Sequence, residues 1–314
     1  MDVILHVGAH RTATALFQHH LAAHRAVLRA SRTAYWGPNV VRGGLFRGVM
    51  DGAVPVMRRQ RDRAAKRLAL RVEMLRQEGA DRLVISDPNI LGALGHILED
   101  ARLYPDAGAR IAAHCKGLAR HNVTIAISMR RYDDWWASAM AAHMRRGGPL
   151  PVTRLRDYMI TQPRRWRHII EDVARAVPDA NVVVWTHEAC ARDPGAVLRG
   201  LTGITTSATP SGPRNGRPSA THLRDVMADC GETLPLMTGA DGLFMPFEPY
   251  EVDTLRAQYE DDLAWLAQGA GGFADCIETQ DAAQTASDRN LHTTTMCDGH
   301  GEGSTNGGDY EQLA

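Results

Sequence analysis

The alternation of short apolar runs with segments of helical spacing constrains the fold of this chain more than any other feature. Between the runs, apolar residues recur at helical spacing, as in the stretch 61–78. Strands that alternate with helices predict an α/β fold, a three-layer αβα arrangement with a mainly parallel central sheet. The apolar runs, each long enough for a strand and too short for a helix, are Val3–Val7, Leu83–Ser86, Val123–Ser128 and Val182–Trp185.

The charge of the chain is unevenly distributed along its length. The 36 basic and 36 acidic residues balance overall, but from Asp275 onward there are eight acidic residues and one basic residue. That last segment is also rich in Gly, Ser and Thr, a composition typical of disorder. We therefore predict one domain over residues 1–275 and a disordered acidic tail over residues 276–314. The domain keeps an excess of positive charge, which suits an anionic ligand.

Composition disfavours several classes of protein. No run approaches the ~18 apolar residues of a membrane-spanning helix, and Met1 leads directly into the first apolar run. We therefore expect no transmembrane segment and a cytoplasmic location. The five cysteines are scattered without a CxxC pair, which predicts free thiols in a reducing compartment. The basic run 57–67 lacks interleaved aromatic residues, so it predicts a solvated helix face and no nucleic-acid partner.

The loop after the first apolar run, "VGAHRTATALFQ", has the chemistry of an anion site. Gly8 ends the run, and a helix is predicted from about Thr14, so that backbone N–H groups and the positive end of a helix dipole meet there. Arg11 adds a full positive charge, and Thr12 and Thr14 add hydroxyl groups. The loop does not match the ATP-binding pattern GxxxxGK[ST], because Ala13 and Thr14 stand where that pattern requires Gly and Lys.

A second anion-binding element, "MRRYDDWWASAM", follows the third apolar run. Arg130 lies just past the run, and Ser138 lies eight residues later on the next predicted helix. An arginine can bind a phosphate through two parallel hydrogen bonds, and a serine hydroxyl can donate to the same group. Ligands of α/β sheets bind beyond the carboxyl ends of the strands. Two such elements at one edge predict a ligand with two separate phosphates.

Together these motifs resemble the PAPS-dependent sulfotransferases, in particular bacterial members whose first loop runs roughly GxxKTGTTxLQ. Three later stretches are also similar to that family: "LVISDPNILG", "VVVWTHEACARDPGAVLRGL" and "FEPYEVDTLRAQYEDDLAWL". The resemblance covers about residues 3–267. It implies a P-loop-like sulfotransferase fold and transfer of a sulfuryl group from 3′-phosphoadenylyl sulfate (PAPS) to a hydroxyl or amine. The product is adenosine 3′,5′-bisphosphate, and no metal is required.

The resemblance also implies roles for individual residues. In the family the first loop holds the 5′-phosphosulfate, and an Arg and a Ser eight residues apart hold the 3′-phosphate. The implied cofactor-binding residues are His10, Arg11, Thr12, Ala13, Thr14, Ala15, Arg130 and Ser138. Arg11 is also implied in catalysis, because its charge would neutralise the leaving phosphate. Arg214 and Arg217, in the Pro/Gly-rich loop 205–219, either cover the nucleotide or are solvated.

The chain departs from the family pattern at four positions. Arg11 replaces the loop lysine and keeps its charge in a broader, planar group. Ala13 replaces a glycine, and we expect this alanine to fit only if its φ angle is negative. Ala15 replaces a threonine. Pro88 stands where the family has a glutamate, so the usual general base is missing.

Asp87 is the candidate for that base, because it follows the second apolar run at the same predicted sheet edge. An aspartate before proline can equally shape a turn or cap a helix. His10 and His114 are the alternative bases. His20 and His24 stand four residues apart but have no third metal ligand nearby in sequence, so we predict no metal site.

Two other functions remain open at this point. In a P-loop kinase, the stretch "LVISD" would supply the metal-binding aspartate. In a non-catalytic relative, the fold would serve as a nucleotide-binding module, as the departures at Arg11, Ala13 and Pro88 suggest. For the enzyme, the acceptor would be a small molecule or a carbohydrate.

Overall fold

Six parallel strands form a sheet at the centre of the fold. The computed structural model describes residues 1–49, 57–148, 150–208, 216–231, 238–239 and 241–277. The strands are β1 (Asp2–His6), β2 (Thr33–Trp36), β3 (Arg82–Ser86), β4 (Asn122–Met129), β5 (Asn181–Thr186) and β6 (Asp275–Cys276). Their spatial order is β2-β3-β1-β4-β5-β6, and all neighbouring pairs are parallel.

The four predicted strands are confirmed as β1, β3, β4 and β5. Their apolar runs pair in register across the sheet, so that Leu5 of β1 lies between Ile85 of β3 and Ile125 of β4. β2 and β6 were not predicted. β2 has only four residues, of which two are buried, and β6 has two exposed residues.

Helices connect the strands. The α-helices are α1 (Thr14–Ala23), α2 (Arg25–Ala30), α3 (Pro38–Val40), α4 (Arg58–Gln77), α5 (Leu94–Glu99), α6 (Ala107–Cys115), α7 (Tyr132–Met144), α8 (Val152–Thr161), α9 (Trp166–Ala176), α10 (His187–Cys190), α11 (Pro194–Thr202), α12 (Ala220–Asp229) and α13 (Pro249–Ala267). A π-turn spans Val41–Leu45, and 3₁₀ turns span Pro88–Ile90, Lys116–Leu118 and Ala270–Gly272.

The predicted three-layer αβα architecture is confirmed by two apolar cores, one on each face of the sheet. Successive strand residues point to opposite faces, so Val3 and Leu5 join one core while Ile4 joins the other. Helices α4, α6, α7, α9 and α13 cover the larger core, and α1, α2 and α11 cover the smaller one. Residues Met1–Ile277 pack as one unit.

Several further expectations concern the exterior of the fold. The basic run lies on α4, whose buried side faces the core through Ala64, Leu68 and Val72. In the described part of the chain, no helix combines the length and the apolarity needed to cross a membrane. The four described cysteines are free thiols, and Cys297 lies outside the described residues. The predicted tail also lies outside them, except for Cys276 and Ile277.

Parallel pairing brings the functional segments to one place. The strands β1, β3, β4 and β5 all end at the same edge of the sheet, and the segments that follow them begin at Val7, Asp87, Arg130 and His187. Crossover connections in α/β sheets make this carboxyl edge the usual ligand-binding side.

Candidate functional site

A cavity of about 730 Å³ opens at the carboxyl edge of the sheet. We call it the edge cavity. The residues on its wall that the sequence singled out for cofactor binding are His10, Arg11, Ala13, Thr14, Ala15, Arg130 and Ser138. Thr12 does not line it; its side chain is buried and faces Phe17 and Trp185 behind the loop. The volume is in the range that holds small-molecule ligands and cofactors.

The loop after β1 turns through two left-handed residues. Arg11 and Ala13 both have φ of 62°, and Ala13 is the residue before the first turn of α1. The expectation that Ala13 requires a negative φ is therefore wrong. The left-handed region is unfavourable for residues with a Cβ by about 1–2 kcal/mol, so other contacts must hold this conformation. The left-handed conformation of Ala13 allows α1 to start at Thr14, directly after the loop.

Two threonine hydroxyls hold the turn. Thr12 Oγ1 and Thr14 Oγ1 each donate a hydrogen bond of 2.9 Å to the carbonyl oxygen of Ala9. Their protons are therefore used inside the loop rather than on a ligand. Gly8 has φ of 100°, and a Cβ built on it would lie 3.0 Å from the Cβ of Pro88. This close approach favours glycine at this position of the loop, and it packs Pro88 against the loop.

The amino terminus of α1 lies on the cavity wall. Ala13, Thr14 and Ala15 all line the cavity, and no side chain caps this helix end. The first N–H groups of an α-helix have no acceptor within the helix. Together with the helix dipole they favour an anion at this position.

The two predicted anion-binding elements contact each other directly. Arg130 Nη1 donates to the carbonyl oxygen of Arg11 at 2.6 Å, and Arg11 Nε donates to Ser138 Oγ at 2.8 Å. Trp135 Nε1 donates to the carbonyl oxygen of His10 at 2.7 Å. The side chain of Arg11 thus lies beside the serine that the resemblance assigns to the 3′-phosphate. The elements form one continuous wall instead of two separate pockets.

The charged side chains of the described residues that line this wall are all positive, and three of them, Arg42, Arg130 and Arg217, pair with aspartates behind it. The arginines that line it are Arg11, Arg42, Arg130, Arg146 and Arg217, and none of the aspartates and glutamates in the described residues does so. Burial, followed by the charge of Arg130, lowers the pKa of Arg11 to about 10. Burial also lowers the pKa of Arg130. Both shifts indicate positive charges that a bound anion would stabilise.

Arg217 lines the edge cavity from the Pro/Gly-rich loop. Its guanidinium pairs with Asp134 at 3.1 Å and with Asp241 at 3.4 Å, and its side chain is 8% exposed. It is therefore a packed residue of the wall instead of a solvated one. Arg214 lies outside the described residues.

Asp87 does not line the edge cavity. Its carboxylate accepts two hydrogen bonds from Arg42, at 2.8 and 2.9 Å, and a third from the backbone N–H of Asn89 at 3.0 Å. It therefore caps the 3₁₀ turn Pro88–Ile90. Both oxygens are bonded and the side chain is 1% exposed. Of the two roles considered for Asp87, the contacts match the cap.

Two neutral histidines line the edge cavity. His10 Nδ1 lies 2.9 Å from the hydroxyl of Tyr104, and Nε2 lies 3.0 Å from Asn89 Oδ1. Burial lowers the pKa of His10 to about 4. Burial, followed by the charge of Arg130, also lowers the pKa of His187 to about 4. His114 is buried elsewhere and donates from Nδ1 to the carbonyl of Arg110 at 2.7 Å.

Several residues of the wall were missed by sequence reasoning. His187 directly follows β5, so its position at the end of a strand could have identified it. Gln18 lies on α1 one turn after the loop, at a spacing that also places it toward the ligand side. Arg42 and Arg146 follow no strand, and no signal in the sequence marks them.

His20 on α1 and His24, which directly follows that helix, are held by hydroxyl groups. His20 Nε2 lies 2.8 Å from Thr206 Oγ1, and His24 Nε2 lies 3.1 Å from Ser207 Oγ. Within the described ranges, no group of three or more His, Cys, Asp or Glu residues could hold a metal ion.

No protein-family model matches this chain, and no curated protein matches it either. The resemblance to the sulfotransferases therefore depends on the motifs quoted above. The geometry of the edge cavity supplies an independent basis for a function.

Proposed function

We propose that this protein transfers a sulfuryl group from PAPS to a hydroxyl or amine of an acceptor. The observation that carries the proposal is the single cationic wall on which Arg11, Arg130 and Ser138 meet. PAPS has an anionic group at each end of its ribose, and both ends would contact this wall. The α1 amino terminus and Arg11 would hold the 5′ end, and Arg130 with Ser138 would hold the 3′-phosphate.

In this proposal the protein acts mainly by positioning and charge stabilisation. Negative charge develops on the bridging oxygen of the departing nucleotide, as in phosphoryl transfer. Arg11 would neutralise that charge. Removing such a donor commonly raises the barrier by about 3 kcal/mol.

The proton of the acceptor requires a different route from the one the sequence suggested. Asp87 is bonded through both oxygens to Arg42 and to the turn that it caps. The proposal therefore sends the proton to water or to the neutral imidazole of His187, because both ring nitrogens of His10 are already hydrogen-bonded. A base matters less for an amine or an acidic hydroxyl, whereas an alcohol would depend on water as the proton acceptor.

Thermal unfolding with nucleotides tests the proposal. Adenosine 3′,5′-bisphosphate at 100 times its Kd should stabilise the fold by about 2.7 kcal/mol. For a domain of this size that is a rise in Tm on the order of 5–10 °C. ATP should give a much smaller shift. Arg130→Gln should abolish the rise, and Arg63→Gln on the exposed face of α4 should keep it. Equal shifts with both nucleotides would contradict the proposal.

Incubation with PAPS and candidate acceptors separates the enzyme from a binding module. The capped Asp87 favours the non-catalytic alternative, because no carboxylate of the described wall remains as a base. Turnover that is lost in Arg11→Gln would support the enzyme. Binding of the bisphosphate without turnover of PAPS would support the module. The kinase is disfavoured since Asp87 is paired with Arg42 and is not available to a magnesium ion.

A further inference from the structure

A second cavity, of about 400 Å³, lies beside the edge cavity. We call it the side cavity. The two share the wall residues Arg42, Asn89 and Ala93, so they lie next to each other. Arg47 and Arg110 line only the side cavity. The volume suits a ligand of about monosaccharide size.

The side cavity carries more positive than negative charge. Arg42, Arg47 and Arg110 line it together with one carboxylate, Asp87. Asp87 is bonded through both oxygens to Arg42, so it does not pair with either of the other two arginines. The Asp87 carboxylate accepts its third hydrogen bond from the backbone N–H of Asn89.

The two remaining arginines differ in how they are held. The side chain of Arg47 is exposed and makes no ion pair or hydrogen bond with any described residue. Arg110 is anchored by two backbone carbonyls: Nε donates to Ile90 at 3.1 Å, and Nη2 donates to Asn89 at 2.7 Å. Asp106 acts on the charge of Arg110 but does not line the cavity. One fixed and one adaptable guanidinium therefore face the same space.

The rest of the side cavity is apolar or neutral. Val41, Phe46 and Ile90 are buried on its wall. His114 packs edge-on against Phe46, with ring centres 4.8 Å apart, and burial lowers the pKa of this histidine to about 4. An apolar surface beside charged groups is suited to a sugar-like ring that carries an anionic substituent.

We propose that the side cavity binds the acceptor, and that the acceptor is a small hydroxyl compound with an anionic group held by Arg47 and Arg110. Calling this ligand the acceptor rests on the proposed function, whereas anion binding in the side cavity does not. The shared wall would let a hydroxyl of the ligand face the donor. Its oxygen bonds to sulfur, and the bond from sulfur to the 5′-phosphate oxygen breaks. The electron pair leaves with the bisphosphate, and the hydroxyl proton passes to water.

Calorimetric titration of the full chain tests this proposal. The probes are glucose 6-phosphate, glucuronate and glucose, each added with and without saturating adenosine 3′,5′-bisphosphate. Glucose 6-phosphate, glucuronate or both should bind in the presence of the bisphosphate. A comparison of their affinities shows whether the site prefers a phosphate or a carboxylate. Glucose should bind at least tenfold more weakly, because it lacks the charge-assisted hydrogen bonds.

Variants locate the binding site. Arg47→Gln should weaken the anionic probe roughly tenfold and leave the affinity for the bisphosphate unchanged. Arg146→Gln, which changes only the edge cavity, and Arg63→Gln, on the surface of α4, should leave the probe affinity unchanged. Equal binding of glucose and both anions, binding of none, or a loss in Arg146→Gln but not in Arg47→Gln would overturn the proposal. If the bisphosphate fails to bind but the probe depends on Arg47, the proposed function fails and the side cavity remains an anion site.

Discussion

The loop after β1 and the helix after β4 build the same wall but are stabilised in different ways. Most residues of α7 are buried, including Trp135, Trp136 and Ser138, so the core fixes this helix. The loop after β1 has two left-handed residues, and its carbonyl groups accept hydrogen bonds from Arg130 and Trp135. The loop therefore depends on the helix for its shape. Changes in α7 should disturb the loop more than the reverse.

The strongest test of this dependence removes the indole of Trp135. This side chain is fully buried and also donates to the carbonyl of His10. Trp135→Ala should lower the free energy of unfolding by about 3–5 kcal/mol. Urea denaturation measures that loss, and bisphosphate binding should disappear with it.

Phenylalanine variants isolate the hydrogen bond from the packing. Trp136 is equally buried, and its Nε1 has no partner in the described residues. Trp135→Phe should therefore be less stable than Trp136→Phe by about 1–2 kcal/mol, since only the former leaves a carbonyl unpaired. Equal losses would show that the contact with His10 contributes nothing.

The next effect concerns the hydrogen bond from Arg11, in the loop after β1, to Ser138 on α7. Ser138→Ala removes the acceptor of the Arg11 Nε–H, and the affinity for adenosine 3′,5′-bisphosphate should fall roughly tenfold. Ser128→Ala is the matched control, because Ser128 is buried on β4 and its hydroxyl has no partner among the described residues. Calorimetry on both variants distinguishes them. A similar loss in the control would point to general damage of the core.

Glycine substitutions at two nearby alanines test the loop conformation. They should change the free energy of unfolding by a smaller amount and in opposite directions. Ala13→Gly should raise the free energy of unfolding by up to about 1 kcal/mol, because glycine adopts positive φ without strain. Ala15→Gly, inside α1, should lower it by about 0.5–1 kcal/mol. Urea denaturation of both variants gives the signs. A loss in Ala13→Gly would mean that this residue is not left-handed in solution.

The last effect is the contribution of His10 to the pH dependence of stability. Burial lowers the pKa of His10 to about 4 from an ordinary value of 6.5, so the unfolded chain binds a proton more readily than the folded one. Stability should therefore fall as the pH drops from 6.5 towards 4, and His10→Gln should remove part of that slope. His6, His114 and His187, whose pKa values are also lowered by burial, share this range.

Urea midpoints between pH 7 and pH 4 measure the slope. His222→Gln changes an exposed ring and serves as the control. An unchanged slope in His10→Gln would indicate that this imidazole is solvated when the cavity is empty.

The sequence predicted the architecture better than it predicted the site. Continuous apolar runs marked the four central strands because those strands are buried on both faces, while β2 at the sheet edge lacks that pattern. The positions where the predicted strands end identified Arg11, Arg130 and Ser138 as residues of the site. The direction of the Arg11 side chain depends on a left-handed backbone that no residue type there requires. Arg42 comes from a segment without periodicity, so its pairing with Asp87 could not be predicted.

The two hydroxyl bonds to Ala9 have a consequence for ligand recognition. Because Thr12 and Thr14 already fix the turn in the free protein, little conformational entropy would be lost when an anion arrives. The loop is preorganised, so its N–H groups can act without first being ordered.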